Sequence, residues 1–338
     1  FGIQNKDGRM VQLKPAAHER MRDGVTILLW IIASAVCSVS SKRLLSALGS
    51  GCSLTLSSGQ FAVASFLSGV VLVARGSTLP SHRAVALVVV TSVCYTAGFL
   101  LLNISMAMID AALVESIRGL EPLWSILLTL WLLPGEANMT IPQGCALLVI
   151  FLGVLMSLAT VFELQPVGIL TCMLANLMFA FRSLATQYMR RVLKECGEDV
   201  PDAFCVFYVQ HMFASAFAVP LAAAVDSGRC IHQMSHPYFS EVVYFFYSII
   251  GFYTYNQLAL VVLYRIGIVH HSIGNCARRV VTILACTILL GMSMTALTAA
   301  GYVITIFGSI FYTVATVYKC RNTISCLSSR ENQLKTLV

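Results

Sequence analysis

Charge is what this chain has least of. Only 11% of its 338 residues are Asp, Glu, Lys or Arg, against 58% hydrophobic. A soluble domain carries about 25% charged residues, so this ratio excludes one. No long polar stretch interrupts the apolar runs to hold a separate soluble domain, and no acid–base pair or metal-ligand set gathers in one place, which argues against an enzyme. The twelve cysteines have no C-x-x-C spacing. Cys37, Cys94, Cys145, Cys172, Cys205, Cys276 and Cys286 fall inside apolar runs, so the cysteines are expected to be reduced packing residues. Residues 1–23 lack an apolar signal core, and any targeting peptide is expected outside this sequence.

What the chain has in abundance is hydrophobic length, with a mean hydropathy of +0.81. Apolar runs long enough to cross a bilayer, about 20 residues each, fall near 25–46, 54–74, 84–106, 111–133, 142–161, 166–188, 203–225, 240–263, 267–290 and 294–318. Linkers carry turn residues: Gly49-Ser50-Gly51, Gly76 to Pro80, Pro134-Gly135 and Glu195 to Asp202. The expected fold is an all-α polytopic membrane protein of ten transmembrane helices, with the bilayer as its solvent.

An even number of spans puts both termini on one side. Fifteen basic residues then lie on that side: Lys6, Arg9, Lys14, Arg20, Arg22, Arg75, Arg83, Arg190, Arg191, Lys194, Arg265, Lys319, Arg321, Arg330 and Lys335. Only Lys42, Arg43 and Arg229 lie opposite. The bias accounts for the +7 net charge through topology rather than nucleic-acid binding, and assigns the termini to the cytosol-like side. Asn138-Met139-Thr140 fits a glycosylation sequon but falls on that same side, where it is expected to stay unused.

The four remaining basic residues, Arg118, Arg182, Arg278 and Arg279, fall inside spans. An arginine in the bilayer costs roughly 2.5–3.5 kcal/mol on insertion scales and cannot shed its proton. Only Glu115 and Glu121 accompany them at depth, with Asp110, Glu163 and Glu241 nearer span ends. The excess of positive charge calls for a mobile dianion.

Helical spacing places Glu115, Arg118 and Glu121 within one third of a helix circumference. Gly119 and Pro122 between and beside them should bend or loosen the helix, as happens beside midplane transporter sites; the alternative is a self-neutralised Arg–Glu pair at a proline kink. Arg278 and Arg279 lie about 100° apart on one helix. They repel in low dielectric unless an anion sits between or beside them, and the guanidinium fork suits phosphate oxygens; the alternative is that both snorkel to an interface. Tyr253-Thr254-Tyr255-Asn256-Gln257 either bonds neighbouring helices or lends the Tyr255 hydroxyl to an anion. Arg182, nearer a span end, either snorkels or serves the site. His270-His271 should cap the ninth helix, with no third ligand for a metal.

Ten spans divide into five and five, and an odd number per unit inserts the second half upside down. The expected domains are a basic tail (1–23), a first five-helix repeat (24–161), an inverted second (162–320) and a C-terminal tail (321–338). The fourth and ninth spans are then equivalent, and symmetry turns Arg118 toward Arg278 and Arg279.

These residues resemble the plastid phosphate translocators, the triose-phosphate/phosphate translocator family of the drug/metabolite transporter superfamily. Asn103-Ile104-Ser105 and Ser116-Ile117-Arg118-Gly119-Leu120-Glu121-Pro122 are similar to that family's N-V-S and H-x-I-K-A-L-E-P stretch. Phe181-Arg182-Ser183 matches F-R-S, Tyr255-Asn256-Gln257 matches Y-N-Q, and His271-Ser272-Ile273-Gly274-Asn275 through Arg278-Arg279 matches T-H-x-V-G-N-x-x-K-R. The resemblance implies that Arg118, Arg278 and Arg279 hold a phosphate, that Tyr255 assists, and that Arg182 reaches the substrate's other end. Arg replaces the family's Lys at 118 and 278, and Phe99 and Leu102 stand where members usually carry polar residues near the substrate. That points to a smaller or less hydroxylated organic phosphate.

The function expected is antiport of inorganic phosphate against triose phosphate, 3-phosphoglycerate or phosphoenolpyruvate, with strict exchange because empty arginines would repel as the halves close. The substrate-binding candidates are Arg118, Tyr255, Arg278, Arg279, Arg182, Phe99 and Leu102; Glu121, Glu115 and Pro122 are candidates for charge pairing or gating. No catalytic residue, cofactor, metal or nucleic acid is expected, and the protein should be a monomer or weak dimer in the lipid bilayer of a plastid or complex-plastid envelope. The alternative is a nucleotide-sugar/nucleotide antiporter of the Golgi or endoplasmic reticulum.

Overall fold

The apolar runs fold as helices in a computed structural model that describes residues 2–4, 10–12, 17–77, 80–132, 139–159, 165–226, 230, 238–266, 268–291 and 294–336. In chain order the long helices are α1 (Ala17–Leu48), α2 (Ser53–Ala74), α3 (His82–Met108), α4 (Ala111–Arg118), α5 (Glu121–Leu132), α6 (Ile141–Leu158), α7 (Pro166–Glu195), α8 (Ala203–Val225), α9 (Phe239–Val261), α10 (Ile268–Leu289) and α11 (Ala296–Thr336). A π-helical turn, Val262–Ile266, follows α9. Near the N-terminus, Gly2–Gln4 and Met10–Gln12 pair as two short antiparallel strands. Among the described residues nine helices are long and apolar enough to cross a membrane; the expected span at 111–133 is divided between α4 and α5. Helix α1 begins inside the expected N-terminal tail and α11 runs on through the expected C-terminal one. Pro134-Gly135, Asn138, Glu163, Arg229, Lys6, Arg9 and Lys14 lie outside the described residues.

The packing turns a soluble protein inside out. Phe66, Val73, Ile141, Val303 and Phe307 face outward, while Ser57, Ser92, Ser105, Asn176, His211 and Thr282 are fully buried. Lipid is as apolar as leucine, so helices associate through small residues and interhelical hydrogen bonds. Asn103 in α3 donates to Ser57 Oγ (2.8 Å) and Gln60 Oε1 (2.9 Å) of α2, Gln60 donates to Ser248 Oγ of α9 (2.9 Å), and Ser248 shares a 2.7 Å bond with Ser41 of α1. Four helices are thus tied by one chain of polar groups.

Helix α1 packs on α9 and α10, α2 on α8 and α9, α3 on α7 and α8, α4 on α10, α5 on α7, and α6 on α11. The connections gather at two ends. At one, Arg83 pairs with Glu198 (3.2 Å), Arg265 pairs with Asp23 (3.2 Å), and Arg75 and Arg190 lie over the rings of Phe204 and Tyr264. At the other, Lys42 donates to the carbonyls of Met106 (3.0 Å) and Ile109 (2.9 Å) at the end of α3, where a cation suits the helix dipole. There too Asp226, just past α8, accepts from the backbone N–H (2.8 Å) and hydroxyl (3.1 Å) of Thr55 in the first turn of α2.

That second end holds a correction. The seven cysteines named within the spans remain thiols, but Cys52 and Cys230 form a disulfide, so the cysteines are not all reduced. The two are 178 residues apart in sequence. The packing of α2 on α8 brings their Cα atoms to 5.2 Å, within bonding range, and no spacing rule reveals such a pair.

Helices α6 and α11 approach most closely through glycines. A Cβ on Gly153 would lie 2.6 Å from the Thr305 backbone nitrogen, and one on Gly301 would lie 2.6 Å from that of Ser157; the obstacle in each case is main chain, which cannot swing aside. Gly301→Val should therefore push the two helices apart and destabilise the protein by about 1–3 kcal/mol, read as a lowered thermal unfolding midpoint in detergent. An unchanged midpoint would mean that this crossing is looser than described.

Candidate functional site

The fourth span breaks where Gly119 and Pro122 fall. Gly119 N–H donates to Ser116 O (2.9 Å) and Leu120 N–H to Ile117 O (3.0 Å), a tight turn between α4 and α5. Pro122 has no N–H to return to the preceding turn. Asn176 of α7, fully buried, donates to the Ile117 carbonyl at 2.7 Å, so the break is supported from a neighbouring helix.

The break leaves Arg118 at the last position of α4, against α10. Arg118, Arg278 and Arg279 are 8%, 4% and 7% exposed, which rules out snorkelling for all three. Arg118 Nη1 donates to Glu115 Oε1 at 2.9 Å within its own helix, as the spacing allows, and its guanidinium lies 5.5 Å from the Phe179 ring centre. Arg278 is held by Asn275 Oδ1 (3.1 and 3.2 Å) and Ser34 Oγ (2.9 Å), and its Nη1 stands 3.9 Å from Glu115 Oε2. Arg279 pairs instead with Glu121 Oε2 at 3.2 Å. The adjacent guanidiniums thus separate their repulsion by taking different partners, and Glu115 stands between the cations of the fourth and ninth spans.

Glu115, Arg118, Arg278, Tyr255, Phe99 and Leu102 all border one narrow cavity, together with Ser34, Gln60 and Asn103. Arg279 and Glu121 pair beside it, and Pro122 lies at the start of α5. Arg182 is half-buried and is reached through aromatic packing: its guanidinium sits 4.6 Å from the Tyr95 ring centre, and Tyr95 packs on Phe99 at 4.8 Å. Phe61, Phe99, Phe179 and Phe252 continue that cluster, with the Tyr95 hydroxyl bonded to His211 Nε2 (2.8 Å). In the polar run of α9, Asn256 bonds its own helix through the Phe252 carbonyl (3.0 Å) while Tyr255 borders the cavity. His271 stacks on Trp30 at 5.0 Å. A wider recess bordered by Ser77, Pro80, Ser81, Glu198, Asp199 and Asp202 lies at the basic end and has no arginine among its described lining residues.

Sequence reasoning missed Ser34, Asn176, Tyr95 and His211. Single hydroxyls in an apolar run carry no signal, but a histidine and an asparagine in mid-span do, because an isolated polar group there is expensive.

Nine helices long enough to cross a bilayer among the described residues, with the shorter α4 and α5 between them, surround a buried cluster of guanidiniums and define a multi-pass membrane protein. The chain belongs to the Triose-phosphate Transporter family, whose profile matches residues 21–313; it is not an enzyme. It is 25% identical over 238 residues to phosphoenolpyruvate/phosphate translocator 2 of Arabidopsis thaliana, covering 68% of this chain and 60% of that one. It is 24% identical over 294 residues to a non-green-plastid triose phosphate/phosphate translocator of Brassica oleracea var. botrytis, covering 86% and 71%. The match to phosphoenolpyruvate/phosphate translocator 1 of Arabidopsis thaliana is 24% over 302 residues, covering 86% and 70%. The chain thus spans less than two thirds of the first of these and about seven tenths of the others. A solved crystal structure shares the fold with a TM-score of 0.56 at 16% identity, over 87% of this chain and 97% of that one.

Removing one partner of a buried ion pair strands the other, at about 3–5 kcal/mol. Arg118→Met should therefore lower the thermal unfolding midpoint sharply, and Glu115→Gln/Arg118→Met should recover much of the loss. Equal midpoints for the single and double variants would show that the two residues are not coupled.

Proposed function

We propose that this protein exchanges inorganic phosphate for a phosphorylated three-carbon metabolite, namely triose phosphate, 3-phosphoglycerate or phosphoenolpyruvate, by alternating access. The observation that carries the reading is the convergence of buried Arg118 and Arg278 on one cavity at the crossing of the fourth and ninth spans, with Arg279, paired to Glu121, buried beside it. Buried Nε donors of Arg118 and Arg279 have no acceptor, so the cluster retains capacity for an anion. In this reading the three arginines hold the phosphoryl group, Tyr255 adds a hydroxyl, Arg182 meets the far end of the substrate, and Phe99 and Leu102 give that end an apolar wall. Glu121 pairs with Arg279, and Pro122 keeps the fourth span broken.

Rocking between outward and inward states suits two inverted five-helix repeats, 24–161 and 162–320. The helix partnerships support this, because exchanging each span for the one five places later maps them onto themselves. First on eighth becomes sixth on third, first on ninth becomes sixth on fourth, and third on seventh becomes eighth on second. Second on seventh, fourth on ninth and fifth on tenth are each their own image.

The named relatives support a plastid envelope and small phosphate esters over nucleotide sugars. The Cys52–Cys230 disulfide adds a condition, since it needs an oxidising compartment at the end opposite the basic one. That condition suits the outer layers of a complex plastid, and it is what keeps a Golgi or endoplasmic-reticulum membrane as the second reading.

Proteoliposomes loaded with phosphate should exchange it for labelled phosphate and for three-carbon esters faster than for hexose phosphate or a nucleotide sugar. Arg279→Ala, which removes charge-assisted bonds, should lower exchange by roughly tenfold or more; full activity in that variant, or exchange with nucleotide compounds alone, would overturn the reading. Phe99→His with Leu102→Thr should raise rates for hydroxylated esters relative to phosphoenolpyruvate, and unchanged relative rates would remove those two residues from the specificity wall.

A further inference from the structure

Glu115 is the most deeply buried charge of the site, at 1% exposure. Its Oε1 is bonded to Arg118, but its Oε2 is buried, accepts no hydrogen bond and faces Arg278 Nη1 at 3.9 Å. The carboxylate therefore spans the gap between the cations of the fourth and ninth spans, on the wall of a cavity with little free space. A phosphoryl group that bonded Arg118 Nη1 and Arg278 Nη1 would compete with that carboxylate.

We propose that Glu115 is a tethered counter-anion: it occupies the place of the substrate phosphate in the empty carrier and is displaced when phosphate arrives. The inference rests on the exchange reading above and changes one of its consequences. Three bare arginines would make closure of an empty site prohibitive, and exchange strict. With Glu115 and Glu121 in place, the cluster formed with Arg118, Arg278 and Arg279 has a net charge of +1, so the empty carrier can desolvate its centre and return. Net transport then accompanies exchange. The same carboxylate competes with substrate, because a dianion takes the cluster from +1 to −1, whereas with glutamine at 115 it would go from +2 to 0.

The test is uptake of labelled phosphate by proteoliposomes bearing the full chain, loaded either with phosphate, which reports exchange, or with chloride only, which reports net uptake. The wild-type protein should show net uptake at roughly a tenth or more of its exchange rate, a ratio that places the barrier to empty return within about 1.4 kcal/mol of the loaded one. Glu115→Gln should lower the KM for phosphate by roughly threefold or more and cut net uptake more than exchange, so that the exchange-to-net ratio rises. Wild-type net uptake equal to that of protein-free vesicles, or a ratio unchanged or lowered by Glu115→Gln, overturns the inference while leaving the exchange reading intact. If Glu115→Gln is recovered only unfolded, the wild-type ratio decides by itself. Absence of wild-type exchange with any counter-anion defeats the transport reading, and this inference with it.

Discussion

A carboxylate bonded to one buried guanidinium and facing another is the contact around which the centre of this protein is arranged. Neither Arg118 nor Arg278 can lose its proton, and neither can reach water from where it lies. Glu115 makes both tolerable, and in doing so joins α4 to α10 across the middle of the molecule. The other supports follow from the need to hold that geometry. Asn275 and Ser34 orient Arg278, Glu121 draws Arg279 away from it, and Asn176 steadies the turn that ends α4 beneath Arg118.

Around this charged centre the fold uses few apolar contrasts, because its exterior is hydrocarbon. What separates the interior from the surface is polarity and close approach. The chain from Asn103 through Gln60 to Ser248 and Ser41 crosses four helices, and the glycines of α6 and α11 let two backbones touch. The polar chain reaches the cavity wall through Gln60 and Asn103, while the glycine contact joins α6 to α11. The disulfide and the Asp226 cap add a second restraint, confined to the end away from the basic loops.

Much of the fold was legible because membrane helices obey a length rule. Each of the ten apolar runs coincides with a helix or, at 111–133, with a pair of helices split by residues that disfavour continuity. The arginines were legible for a related reason: a charge in an apolar run is so unfavourable that its presence demands an account. Arg118 with Glu115 could be paired from spacing alone, since residues three apart share a helix face. The aromatic wall from Phe61 to Phe252 was not legible, because phenylalanine in a span is as much at home against lipid as against a substrate.

The sequence by itself determined where the apolar helices lie, the break at Gly119 and Pro122, and the identity of the buried cations. All of these depend on local composition or on neighbours within one helix. Only the tertiary structure decided that Arg278 and Arg279 take different partners, that Glu115 stands between two spans, and that Cys52 meets Cys230. These depend on the rotation of each helix about its axis and on which helices pack together. Those are set by contacts between residues far apart in the chain, to which hydropathy and periodicity are blind.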